Sequence, residues 1–192
     1  MRLWAPEPRL TELQEFYARL GTGETELEFV ASDGNPYYHF AFLAPPARFA
    51  TLLAATTDPL PDPETGEVVF DFEDWNAKAF YFHDPAGNIV EFVAHDGIDE
   101  EGLSELGLVG EPRAMAEALQ PLALELWDGT LEEEGQLAFL GERGHTLILA
   151  PPGRGWMPTG RSAEPHPVEA ELEGPPTGEV EFEGGLYRIS RR

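Results

Sequence analysis

Apolar residues recur at helical spacing in three stretches of the chain and at every second position in most of the rest. The first helical stretch is 8–20, PRLTELQEFYARL, with Leu10, Leu13, Phe16, Tyr17 and Leu20 on one stripe and Gly21 as its stop. The second, 46–56, opens on Pro46 and aligns Phe49, Leu52 and Leu53. The third, 112–120, opens on Pro112 and aligns Met115, Ala118 and Leu119. Residues 99–102 make at most one further turn. Alternation predicts strands at 1–5, 25–31, 36–44, 67–73, 77–83, 88–95, 103–109, 122–127, 136–141, 145–150, 167–173 and 179–189. Turn chemistry separates them at Asp33-Gly34-Asn35-Pro36, Asp84-Pro85-Ala86-Gly87-Asn88, Asp128-Gly129 and Gly184-Gly185.

The order of these elements repeats. Residues 36–97 read strand, helix, strand, strand, strand, and 103–150 read the same way. Tyr38-His39-Phe40-Ala41-Phe42-Leu43 lies over Ser104-Glu105-Leu106-Gly107-Leu108-Val109, and each is followed by a Pro-led helix. Residues 1–35 are a shortened copy, and 167–189 form a tail without a helix, placed to complete the first copy's depleted sheet. The acidic run Asp99-Glu100-Glu101 divides the chain into 1–97 and 103–192. The expected fold class is α+β: βαβββ modules forming cupped mixed sheets with helices packed outside.

Composition removes several function classes. The chain has 192 residues and a formal charge of −24, with 36 acidic against 12 basic residues. Such a surface repels phosphate backbones and anionic lipid, so neither nucleic acid nor a membrane is an expected partner. Cysteine is absent, which excludes disulfides, thiolate metal ligands and thiol nucleophiles. No apolar run reaches membrane-spanning length and no signal-peptide pattern opens the chain, so the expected compartment is the cytoplasm. GxGxxG after a strand, GxxxxGK[ST], HExxH and GxSxG are all missing, so no nucleotide cofactor is expected.

Residues 79–93, AFYFHDPAGNIVEFV, resemble the glyoxalase / bleomycin-resistance / extradiol-dioxygenase superfamily, also called vicinal oxygen chelate. Its members carry an aromatic strand, a DP-x-GN turn and a Glu-bearing strand. The stretch LQEFYARLG is similar to a helix end of that superfamily, and His39 in YYHFAFLA matches its metal-binding His. The resemblance covers 1–97, and 103–150 by module order. The superfamily spans lyases, isomerases, dioxygenases and metal-free binders, so three functions follow as expectations. The leading one is a divalent-metal enzyme acting on a small oxygenated substrate. The others are a metal-free small-molecule binder and an interaction module with a vestigial site.

Alternation on 36–43 sets Tyr38, Phe40 and Phe42 against the helices and turns His39 into the cup with Tyr37 and Ala41. On 88–95 it groups Ile89, Glu91, Val93 and His95, and the resemblance implies that Glu91 points inward toward His39. The resemblance also gives Glu28 as a third ligand, or as a base where it does not ligate. The remaining glyoxalase-type position falls on Trp4 or Ala5, which cannot ligate, and the extradiol set lacks its first His. Zn, Ni, Mn and Fe(II) all suit His39, Glu91 and Glu28. Pairing 36–97 with 103–150 gives instead His39, Glu91 and Glu105, and the sequence leaves both pairings open. The aligned partner of Glu91 in the second module is Ile148. Substrate contacts are expected from Tyr37, Trp75, Asn76 and Tyr81, and from Arg154 and Trp156 on the 151–161 loop. The expected partner is a small molecule, and the expected assembly a monomer or homodimer.

Overall fold

The computed structural model describes residues 1–133 and 135–192. The chain opens with β1 (Arg2–Pro6), α1 (Leu10–Leu20) and β2 (Glu28–Ser32). A complete module follows: β3 (His39–Leu43), α2 (Pro46–Ala55), β4 (Phe70–Phe72), β5 (Ala77–His83) and β6 (Ile89–His95). A second comprises β7 (Gly102–Val109), α3 (Pro112–Leu119), β8 (Leu126–Gly129), β9 (Ala138–Glu142) and β10 (His145–Ala150). A small ribbon, β11 (Gly155–Trp156) with β12 (Arg161–Ser162), leads to β13 (Val168–Leu172), β14 (Gly178–Phe182) and β15 (Tyr187–Arg191).

Local chemistry sets the helix ends. Gly21 stops α1 at φ 74°, and the Glu111 carboxylate caps α3 by accepting from the Arg113 and Ala114 amides. Two expected strands break where the backbone requires it. The stretch 122–127 begins in a 3-10 turn, Gln120–Leu122, because Pro121 has no N–H for a ladder, and its strand starts only at Leu126. The stretch 179–189 splits into β14 and β15 at Gly184 and Gly185, both at positive φ.

The two complete modules share one eight-stranded sheet, ordered β4-β5-β6-β3-β7-β10-β9-β8, joined at its centre by the antiparallel pair β3 and β7. The partial modules make a five-stranded sheet, β14-β15-β13-β1-β2, in which the tail pairs with β1 as expected. The stretches 1–97 and 103–192 each send strands to both sheets. One core lies between the five-stranded sheet, the helices and the outer face of the large sheet, and includes Tyr17, Phe40, Phe42, Leu106 and Ile189. A second cluster, including Tyr37, Ala41, Tyr81, Val93, Ile148 and Trp156, fills the inner face.

The large sheet is strongly curled. Laid flat, its two edge strands would stand roughly 34 Å apart, at ~4.8 Å per step. Instead Trp75, in the turn between β4 and β5, donates its Nε1–H to Asp128 of β8 at 2.8 Å. No helix among the described residues is long and apolar enough to cross a membrane.

Candidate metal centre

The DP-x-GN turn builds the site without entering it. Asp84 is buried, and its Oδ1 accepts from the Ala86 and Asn88 amides. Its Oδ2 accepts from Asn88 Nδ2 and from the Tyr17 hydroxyl of α1, both at 2.7 Å. Asn88 Oδ1 in turn accepts the Tyr38 amide at 2.8 Å. This chain of hydrogen bonds fixes the start of β3 against the start of β6, so His39 and Ile89 stand side by side in parallel register.

His39 is buried, and its ring Nδ1 lies 3.2 Å from the Ile89 carbonyl. A proton on Nδ1 satisfies that carbonyl and leaves the Nε2 lone pair facing inward, 3.6 Å from Glu91 Oε2. Glu91 and Glu105 both stand opposite Ala41, one on each neighbouring strand. Single ligand atoms of His39, Glu91 and Glu105 all lie within 4.8 Å of one another. The three residues are 4–5% exposed, and among the described residues neither carboxyl has an Arg or Lys partner.

Burial dominates the electrostatics. It lowers the His39 imidazole to about 4, which keeps the ring neutral. Desolvation raises Glu91 well above the usual carboxylate range, and the nearby Glu105 adds to the rise. Desolvation raises Glu105 as well. Without a cation the pair therefore retains protons near neutrality. Three acceptors converging in a dry site form a nitrogen and oxygen donor set suited to a divalent transition metal.

The other expected residues are distributed unevenly. Tyr81 stands opposite Glu91 in register, and burial and both carboxyls push its hydroxyl well up. The Trp156 ring is buried 5.0 Å from His39, in space that Gly107 leaves free. A Cβ at Gly107 would meet that ring at 2.9 Å. Tyr37 is buried beneath the Arg161 guanidinium, which lies 3.3 Å over its ring. Arg154 bonds the Gly155 carbonyl within its own loop. Asn76 sits in the left-handed region at φ 47°, and its carbonyl accepts from the Asp96 amide and from Arg143. Trp75 lies over the far end of the inner face, stacked on His95 with centroids 6.5 Å apart.

Glu28 does not join the centre. It is exposed at the edge of the five-stranded sheet and pairs with Arg2 at 2.8 Å. Glu105 takes the third place, because β7 rather than β2 adjoins β3. The alignment of Glu105 over His39 is the sequence signal for that position. Thr146, opposite Glu105 on β10, carries a buried hydroxyl without a hydrogen-bond partner and had no motif to announce it.

No known sequence family matches the chain, and no curated protein matches it. Solved structures do. A Bacillus subtilis protein provisionally named a dioxygenase aligns over 100% of this chain and 83% of its own, at 12% identity and a TM-score of 0.54. A glyoxalase I variant from Zea mays aligns over 99% of this chain and 89% of its own, at 11% identity and a TM-score of 0.52. With its paired βαβββ modules and curled mixed sheet, the chain shares the α+β fold of these dioxygenase-named and glyoxalase I structures.

Proposed function

We propose that the chain holds one divalent transition-metal ion through His39 Nε2, Glu91 and Glu105, and acts as an enzyme on a small oxygenated molecule. The observation that carries this reading is the convergence of three buried acceptors within 4.8 Å, with His39 Nδ1 committed to a backbone carbonyl. Leaving two carboxyls buried without a cation costs several kcal/mol, a burden that a bound ion removes. Zinc, nickel, manganese and iron(II) all accept such a donor set. A metal bound there supplies Lewis acidity toward substrate oxygens. The protein's own groups fix the geometry: Ile89 holds the His39 ring, Tyr81 faces Glu91, and the surrounding aromatic side chains exclude water. Its partner on this reading is a small molecule, and the charge of −24 disfavours nucleic acid.

One observation favours a second reading, a vestigial centre in a structural module. Trp156 occupies the cup beside His39, where a ligand would otherwise approach. Elemental analysis and calorimetric titration of metal-stripped protein separate the two. The metal reading expects about one equivalent of zinc, nickel, manganese or iron(II), with affinity reduced at least ~100-fold in His39→Ala and Glu91→Gln. If none of the four ions binds the parent, the metal reading fails and the vestigial one stands.

A further inference from the structure

One segment stands apart from both sheets. The ribbon β11–β12 pairs only with itself, Gly155 opposite Ser162 and Trp156 opposite Arg161. Its flanks close in the same way. The Ala163 amide donates to the Arg154 carbonyl at 2.7 Å, and the Gly153 amide to the Ala163 carbonyl at 2.8 Å. Residues 153–163 therefore keep these backbone bonds whether or not they touch the large sheet.

Few groups fasten this unit down. Most of its residues are exposed, but Trp156, Pro158 and Ala163 are buried. The Trp156 ring fills the notch at Gly107 and stands beside His39. Arg161 lays its guanidinium over the Tyr37 ring and donates from Nη1 to the Gly87 carbonyl at 2.9 Å, in the turn ahead of β6. Among the described residues this is the one hydrogen bond from 153–163 to the rest of the chain. The two roots differ. Gly153 sits at φ 83°, where a Cβ would meet nothing within 4 Å. The other root is pinned, since the Tyr38 hydroxyl donates to the Pro167 carbonyl at 2.9 Å. A unit bonded internally and attached at so few points opens far more readily than a sheet unfolds.

We propose that residues 153–163 form a hinged plug over the candidate metal centre, with Trp156 as its stopper, Arg161 as its latch and Gly153 as its hinge. Closed, as in this structure, the plug fills the cup beside His39 and bars ions and small molecules from it. Swung out, it admits them without disturbing either sheet. The metal reading supplies only what lies behind the plug, whereas the gate itself rests on the attachments of the ribbon.

The test uses diethyl pyrocarbonate, which acylates neutral imidazole nitrogens, on metal-stripped protein at pH 7. Peptide mass spectrometry reads each histidine separately. Burial keeps His39 neutral, so its rate reports access, and the exposed His83 and His145 are internal controls. In the parent, His39 is expected to react at least ~100-fold more slowly than His83. Its rate should change less than about twofold on adding about 1 M urea, because local opening exposes little surface. Access through global unfolding would instead speed it about 30-fold and would overturn the plug. Arg161→Met, which keeps the stem but loses the guanidinium, should speed His39 modification about tenfold with His83 and His145 unchanged. Trp156→Ala should speed it at least as much. Acceleration in Trp156→Ala but not in Arg161→Met would make Trp156 a fixed part of the core and overturn the latch. If Arg161→Met fails to fold, the urea dependence of the parent decides by itself. Zinc titration of the same samples keeps the two claims apart. A parent with urea-independent access to His39 but no zinc binding retains the plug and loses the metal centre.

Discussion

The two sheets treat glutamate in opposite ways. On the five-stranded sheet, Glu28, Glu169 and Glu181 lie on alternate strands and are bridged by Arg2 and Arg188 on the strands between them. The resulting ladder, Glu28–Arg2–Glu169–Arg188–Glu181, crosses all five strands at or near the surface. On the eight-stranded sheet, Glu91 and Glu105 are buried, close together and without an Arg or Lys partner among the described residues. Exposed pairs of the first kind contribute little, because water and salt screen them. Carboxyls of the second kind are destabilising until a cation or proton joins them. In a chain with 36 acidic residues, it is this treatment that marks a carboxylate as chemical.

The contrast can be broken at several points. Zinc at a thousandfold excess over its dissociation constant should raise the parent's stability by about 4 kcal/mol, read as a rise in melting temperature. In metal-stripped protein at pH 8, Glu105→Gln should stabilise by about 1–3 kcal/mol, since it removes a buried ionisable group. With zinc present the same substitution should destabilise. A thermal melt of Glu105→Gln that is lower than the parent's without metal would contradict the buried-charge argument.

The pH dependence follows from the same groups. Glu91 and Glu105 are raised in the fold, so their contribution is full below about pH 4.5 and is lost as pH climbs through their folded values. His39 runs the other way: its contribution is present above 6.5 and is lost as pH falls toward about 4. The His95 and His166 imidazoles are lowered as well, so the carboxyl contribution is read as a difference. Glu105→Gln should gain stability relative to the metal-stripped parent from about pH 5 to pH 8. Denaturant midpoints of both proteins across that range check this.

Smaller effects belong to the scaffold. Tyr17→Phe removes one donor from buried Asp84 and should cost about 1–2 kcal/mol in urea unfolding, with metal affinity retained. Arg2→Ala breaks two rungs of the exposed ladder and should have the smallest effect. That effect should vanish in molar salt.

How far the sequence reaches depends on the range of the interaction. Alternation alone turned His39 inward, because Tyr38, Phe40 and Phe42 needed a core. The Asp84–Asn88 turn marked the β5–β6 hairpin that presents Glu91, since its side chains bond locally. Which strand adjoins β3 is a long-range matter, decided by whole modules packing together, and no local pattern separates Glu28 from Glu105. His95 and Trp75 lie on elements the pattern could outline, but their contact depends on the curl of an eight-stranded sheet. Strand ends shifted wherever Pro121 or the Gly184-Gly185 pair controlled the backbone.

On the proposed reading, buried Glu105, and not exposed Glu28, completes the metal centre with His39 and Glu91. Calorimetric zinc titration of the metal-stripped parent, Glu105→Gln and Glu28→Gln tests it most directly. The expected result is one site in the parent, unchanged affinity in Glu28→Gln and at least ~100-fold weaker binding in Glu105→Gln. Loss of binding in Glu28→Gln with Glu105→Gln unaffected would contradict it.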